Sequence, residues 1–304
     1  MAPETHLAWK NPEPVPHDSP STAPHKAHLR LLESSKDDLH PILRQRDPDL
    51  IRRSYPRVAW IVDKYFRTEI QGAEHLSDQA CLMTATHNGG MATPDAYALA
   101  VAFWRRFGLE QPAYGLMHKA AFGMPLMGKF LVRMGAVHAS RENARIVLRS
   151  NFPVMLCPGG DMDALKPYSQ RHRITFGKRM GFIRMAISEQ VPIVPVVSVG
   201  AHETLFVLNS GQRTARYSGL SKLFRIKAVP MTLGFPFGLT PASLGCLPVP
   251  SKIVLRILPR IELAERPEAA NDPAVVQRCF DHVVQTMQTA LSDLASQRKW
   301  PVLG

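Results

Sequence analysis

Between residues 80 and 199, apolar runs of strand length alternate with stretches whose apolar positions recur at helical spacing. The pattern predicts strands near 80–86, 113–117, 135–138, 153–157 and 193–199, with helices over 94–107, 121–133, 141–150 and 178–189 between them. Such alternation is the signature of an α/β sandwich. Further strands are expected near 229–234 and 253–258. Pro273 to Gln297 reads as a closing helix with Val276, Phe280, Val283, Met287 and Leu291 on one face. Two prolines, Pro192 and Pro195, predict that the last strand of the alternating region begins late or carries a bulge. No internal repeat is present.

Outside this region the pattern changes. Residues 1–28 carry Pro12, Pro14, Pro16, Pro20 and Pro24 with no apolar periodicity, which predicts a disordered leader. Residues 29–70 are expected to form an N-terminal amphipathic helical region, and 71–304 the main domain. From Asp47 to Phe66 the residues Ile51, Tyr55, Val58, Val62 and Tyr65 fall at helical spacing, with Arg52, Arg53, Arg57, Lys64 and Arg67 among or just beyond them. This basic, aromatic helix suits packing on the domain, and its aromatic side also suits a membrane interface. The segment Gly234 to Pro250 is apolar but too rich in proline for regular structure, so it is expected to pack under the sheet or to mark a binding surface.

Composition narrows the functional classes. With 304 residues, 45% of them hydrophobic, the chain can bury a large core. A net charge of +12 predicts attraction to anions: nucleic acid, anionic lipid or a phosphorylated substrate. Cys81, Cys157, Cys246 and Cys279 are far apart and show no metal spacing, which points to free, mostly buried thiols in a reducing compartment. No signal-peptide core or spanning run is visible, so a soluble or membrane-peripheral protein is expected.

Four segments carry candidate chemistry. In Thr84-Ala-Thr-His87-Asn88-Gly89-Gly90-Met-Ala-Thr-Pro-Asp95 an apolar strand ends on a histidine, and an acid follows at the start of a helix. A histidine near its reference pKa of about 6.5 accepts a hydroxyl proton at neutral pH. In Gly135-Ala-Val-His-Ala-Ser140-Arg141-Glu-Asn a strand turns into a helix capped by Ser140, where Arg141 and the helix amides suit a phosphate as well as they suit plain solvent exposure. Cys157-Pro158-Gly159-Gly160-Asp161 breaks a buried strand into a turn whose glycines admit close approach of a ligand to the backbone. Val191-Pro-Ile-Val-Pro195 leads to a polar cluster in which His202 reads as a satisfied interior histidine.

In order and spacing, these blocks resemble the glycerolipid and lysophospholipid acyltransferase superfamily, in particular the branch related to diacylglycerol acyltransferases. The resemblance spans roughly residues 45–265. It implies a mixed sheet flanked by helices, of the glycerol-3-phosphate acyltransferase type, preceded by the amphipathic helix. It also implies that His87 is the general base, that Asp95 orients it, and that a hydroxyl of a glycerolipid or lysophospholipid attacks an acyl thioester. Asn88, Gly89, Gly90, Arg141, Pro158, Gly159, Gly160 and Asp161 would then bind substrate. Backbone amides of the turns at 88–90 and 159–160 would face the developing oxyanion. Acyl-CoA or acyl carrier protein is the expected co-substrate, with no further cofactor and no metal. The expected location is cytoplasmic, peripheral on the inner face of a membrane.

Two departures stand out. The family pattern has its acid five positions after the histidine, whereas this chain has Ala92 there and its first acid at Asp95. The third block reads Pro158-Gly159-Gly160-Asp161 where many members have Pro-Glu-Gly, which turns the expectation toward a neutral or unusual acceptor. The rival reading is a non-catalytic lipid-binding or membrane-tethering domain of the same fold. A metal hydrolase using His87, His118, His138, Asp161 and His202 lacks helical ligand spacing, and nucleic-acid binding lacks a recognisable module.

Overall fold

The computed structural model describes residues 39–90, 93–123, 125–209, 231–241 and 246–303. The expected leader at 1–28 lies outside them. Its elements run α1 (Pro41–Arg44), α2 (Pro48–Trp60), β1 (Glu69–Gln71), β2 (Leu82–Ala85), α3 (Pro94–Phe107), β3 (Tyr114–Met117), α4 (Lys119–Phe122), α5 (Pro125–Arg133) and β4 (Ala136–His138). They continue with α6 (Arg141–Arg149), β5 (Val154–Leu156), α7 (Gly160–Ala164), α8 (Gly181–Glu189), β6 (Ile193–Val199), β7 (Phe206–Val207), β8 (Met231–Gly234), β9 (Gly238–Pro241), β10 (Val254–Ile257) and α9 (Pro273–Gln297).

The main sheet has the order β1-β10-β6-β2-β5-β3-β4. Strands β6, β2, β5, β3 and β4 are mutually parallel, β10 runs antiparallel to β6, and β1 pairs parallel with β10. The sheet is therefore mixed, with β2 between β5 and β6. Strand β6 shows why both faces are covered. Ile193, Val197 and Val199 join one core with α6, α8 and α9, whereas Val194 and Val196 join the other with α2 and α3. Alternate side chains of one strand thus serve two apolar layers, as expected for parallel sheets.

Local chemistry explains most boundaries. Asp272 caps α9 by accepting from Ala274 N–H at 2.8 Å, Ser140 caps α6 by accepting from Asn143 N–H at 3.1 Å, and Asp47 caps α2 through Leu50 N–H at 2.9 Å. The helix expected over 121–133 is two pieces, Lys119–Phe122 and Pro125–Arg133, because proline lacks the N–H that would continue the first piece. Pro195 needs no bulge: β6 runs unbroken from Ile193 to Val199. Its carbonyl accepts from Leu258 N–H at 2.9 Å, one residue beyond the last β10 residue, so its missing N–H falls where β10 ends.

The 47–66 helix proves to be a packing element, with Ile51 and Val62 fully buried in the second core; past Trp60 it widens into a π turn over Ile61–Tyr65. The expectation of irregular structure after Gly234 is corrected. Gly238–Pro241 forms β9, pairs with β8, and completes a small antiparallel sheet in the order β7-β8-β9. The hairpin is not tucked under the main sheet, since Phe235 and Phe237 are 63% and 65% exposed, and Leu233, Leu239 and Leu247 are exposed beside them. Leu247 N–H donates to Phe235 C=O at 2.8 Å, and the Tyr65 hydroxyl to Pro248 C=O at 2.7 Å, which ties this apolar tip to the end of the N-terminal helix. Among the described residues no helix is long and apolar enough to cross a membrane.

Candidate active site

The carboxyl ends of β6, β2 and β5 bring Ser198, His87 and Cys157 to one edge of the sheet, where clefts in open α/β sheets form. His87 stands just past the end of the central strand β2, half-buried. Burial holds its pKa below the usual 6.5; Asp163 and, less strongly, Asp161 oppose that effect, while Lys166 adds to it. The imidazole is therefore unprotonated at neutral pH, the form that accepts a proton.

Asn88, Gly89 and Gly90 turn the chain from β2 toward α3. Gly89 has φ +76°, and a Cβ there would stand 2.7 Å from Pro94 Cδ, 2.8 Å from Thr204 Oγ1 and 2.9 Å from Ala201 O. Only glycine fits. Asp95, in the first turn of α3, is buried beneath this loop. Its Oδ2 accepts from Asn88 N–H at 3.0 Å, Asn88 Nδ2 at 3.2 Å and the Ser198 hydroxyl at 3.2 Å, and its Oδ1 accepts from Ala96 N–H at 3.1 Å. Burial first, and then the charge of Asp163, pushes the Asp95 pKa up to about 7.

This geometry departs from the expected pair. The hydrogen bonds of Asp95 go to the loop and to Ser198, and His87 Nδ1 is buried with no partner among the described residues. The Asn88 peptide N–H and side-chain amide take up Asp95 Oδ2 instead.

A different carboxylate reaches the histidine. Asp163, fully buried on α7, accepts from His87 N–H at 2.7 Å, from Lys166 Nζ at 2.9 Å and from Thr175 N–H at 3.2 Å. Lys166 is buried too and donates to Arg173 C=O at 2.8 Å, while its own carbonyl meets His202 Nε2 at 2.7 Å. His202 is thus interior as expected but only half satisfied, with Nδ1 unpaired; burial and then Lys166 push its pKa down to about 4.

The third-block turn lies against this group. A Cβ on Gly159 would stand 2.3 Å from Asp163 Cβ, so the glycine makes room for the buried acid. Gly160 N–H donates to Cys157 C=O at 3.1 Å and Asn88 N–H to Asp95, so neither of these amides is free for an oxyanion. Arg179 Nη1 donates to Gly159 C=O at 2.7 Å and Nη2 to Asp161 at 2.6 Å, a partner set that no sequence motif announced. Arg141 sits apart: it is exposed at the start of α6, after β4, three strand spacings or about 14 Å along the sheet from β2. The structure joins His87, Asn88, Gly89, Gly90, Asp95 and the 158–161 turn, and leaves Arg141 outside that group.

All four cysteines are free, with Cys81 and Cys279 buried and Cys157 and Cys246 partly so. Burial, then the charges of Asp95 and Asp163, raises the Cys157 pKa well above its ordinary value, so this thiol is a poor nucleophile despite its position. Among the described residues no group of three or more His, Cys, Asp or Glu side chains is arranged to hold a metal ion.

Comparisons agree with this architecture. The structure is similar to the crystal structure of a 1-acyl-sn-glycerophosphate acyltransferase from Thermotoga maritima, with a TM-score of 0.51 at 12% identity over 91% of this chain and 89% of that one. In sequence the chain is 27% identical to an uncharacterised protein of Mycobacterium tuberculosis over 246 residues, 80% of this chain and 66% of that protein. It is also 27% identical over 202 residues to a bovine protein named as a DGAT1/2-independent enzyme synthesizing storage lipids, 66% of this chain and 57% of that protein. The matches thus span less than two thirds of these relatives' own length. The diacylglycerol acyltransferase family matches residues 46–254, most of the described fold and every block of the site, and the chain belongs to that family.

Proposed function

We propose that this protein is an O-acyltransferase that moves a fatty acyl group from a thioester, acyl-CoA or acyl carrier protein, to a hydroxyl of a glycerolipid or lysophospholipid at a membrane surface. The observation that carries the reading is His87: a neutral, half-buried imidazole at the carboxyl end of the central strand, in a chain of the diacylglycerol acyltransferase family. A lipid hydroxyl is a poor nucleophile until its proton is taken. The imidazole takes that proton as the hydroxyl oxygen bonds to the thioester carbonyl carbon. The tetrahedral intermediate then expels the thiolate, which receives the proton from the imidazolium and leaves as free thiol.

Two features bear on the acceptor. The guanidinium beside the third-block turn is engaged by Asp161 and Gly159, so that turn offers no uncommitted charge to an acceptor phosphate; this favours an uncharged glycerolipid. Strand β7, which pairs with β8, follows the 201–204 turn that closes over Gly89, so the small sheet bearing the exposed β8–β9 tip adjoins the site. Docked on a bilayer by Phe235, Phe237 and Leu239, the protein would receive a lipid acceptor from the membrane.

His87→Ala in the full chain, with oleoyl-CoA and dioleoylglycerol in vesicles, tests the base. Thiol release and ester formation are expected to fall about a thousandfold, with an unchanged melting profile. Retained activity refutes the assignment. The unpaired His87 Nδ1 gives weight to a non-catalytic lipid-binding reading. That reading is favoured if the wild type binds vesicles and releases no thiol from oleoyl-CoA with dioleoylglycerol, monooleoylglycerol or lysophospholipids.

A further inference from the structure

We propose that Asp163, rather than Asp95, is the carboxylate that positions His87, and that Lys166 is the cation that balances it. The inference rests on the reading of His87 as the base. Asp163 holds the peptide from which the imidazole projects, through the 2.7 Å bond from His87 N–H. It is itself held from two other directions, by Lys166 Nζ at 2.9 Å and Thr175 N–H at 3.2 Å. Both members of the ion pair are out of water, with side-chain exposures of 1% for Lys166 and 0% for Asp163. A buried carboxylate with three donors is fixed, and removing its lysine partner leaves an uncompensated charge in the interior.

The third block gains a physical meaning from this. Its glycine at 159 is needed because Asp163 passes directly beneath it, so the turn serves to admit the acid as well as any ligand. Asp95 has no such reach, because its oxygens are occupied by Asn88, Ser198 and Ala96. The charged and titratable groups around the histidine are Asp161, Asp163 and Lys166 from the third segment, with Asp95 on α3, Cys157 at the end of β5 and His202 behind Lys166. Among these, Asp163 raises the His87 pKa most and Lys166 lowers it, so the two partners act on the imidazole with opposite sign.

That opposition separates positioning from mere structural support. The full-length protein, labelled with ¹⁵N-histidine, is titrated by NMR, the His87 signal being assigned by its loss in His87→Gln. Asp163→Asn keeps an oxygen for the His87 N–H but removes the charge; the imidazole midpoint is expected to fall by about one pH unit. Lys166→Met is expected to raise it by a similar amount. In the vesicle assay Asp163→Asn should lower kcat about tenfold or more with KM for oleoyl-CoA within about twofold, because a weaker, less fixed base affects the chemical step. Midpoints that stay put, or that move the same way in both variants, overturn the proposal. If Asp163→Asn does not fold, Lys166→Met alone decides: an upward midpoint supports the pair, and an unchanged or lower one refutes it. The titration needs no turnover, so a His87→Gln protein that retains acyl transfer refutes the base reading separately.

Discussion

Replacing Asp95 by asparagine is expected to stabilise the protein in alkaline solution and destabilise it in acid. Asp95 is 3% exposed, and its pKa rises from 3.8 to about 7. Between those pH values the folded chain holds a proton that the unfolded chain has released, so stability falls as pH rises through the window. At about 1.4 kcal/mol per pH unit, the loss complete above pH 7 amounts to about 4 kcal/mol. An asparagine at this position carries no such cost. Its amide oxygen can accept the bonds now made to Oδ2, but its Nδ2 would face the Ala96 N–H that Oδ1 accepts at 3.1 Å, an unmade bond worth about 1–2 kcal/mol. The Asp95→Asn variant should therefore be more stable by about 2–3 kcal/mol at pH 8, about 5 °C or more in Tm for a chain of this size, and less stable by about 1–2 kcal/mol below pH 4. Urea and thermal melts of both proteins from pH 4 to 9 would cross near pH 5. An Asp95→Asn protein less stable than the wild type at every pH would show that Asp95 is ionised and well compensated throughout, and the reasoning would fail.

Two further perturbations test other parts of the site. Gly89→Ala puts a methyl group within 2.9 Å of Pro94, Thr204 and Ala201 on a residue of left-handed φ; it should cost about 2 kcal/mol or more in chemical denaturation and abolish acyl transfer, and a stable, active variant would remove the close-packed loop from the account. Phe235→Ser with Phe237→Ser, two positions more than half exposed, should leave thermal stability within about 0.5 kcal/mol and reduce flotation with phosphatidylcholine–phosphatidylglycerol vesicles at least about tenfold. Unchanged flotation would assign membrane contact to another surface.

Much of the fold was legible because each helix and strand announces itself locally. Helices 94–107 and 273–297 begin at Pro94 and Pro273, and strand 193–199 is a continuous apolar run; all three match the structure at both ends. The reason at the first helix was only half legible. Asp272 caps its helix, but Thr93 makes no capping bond and adopts φ +41°, so there the proline and the Ala-rich run suffice. Strand β8 falls where a strand was expected near 229–234, but its partner β9 was missed because the exposed Phe, Leu and Pro residues around it carry no alternation of apolar and polar faces, the pattern by which a half-buried strand is read. Strand β1 at Glu69–Gln71 was missed because three half-buried residues at a sheet edge give no period to read.

The site was legible in its histidine and its glycines but not in its acids. His87 and Gly89 are revealed by local chemistry: a strand end, and a turn that requires positive φ. The carboxylate that accepts from the His87 N–H lies 76 residues away in sequence, and the 2.7 Å bond to Asp163 forms only once β2 and β5 pair. Asp161, chosen from the sequence as a substrate-binding residue, lies two residues from Asp163; it points outward, with its side chain 77% exposed, and pairs with Arg179. Asp163 faces inward instead, and no period of a five-residue helix could have told them apart. The site therefore contains two buried carboxylates with separate tasks. Asp95 ties the loop to Ser198 and is driven toward neutrality by burial and by its neighbour, while Asp163 is paired with Lys166 and accepts from the His87 N–H. The charge of Asp163 helps to raise the Asp95 pKa, so pairing Asp163 with Lys166 and driving Asp95 toward its neutral form lets both carboxylates stay buried at the same end of the sheet.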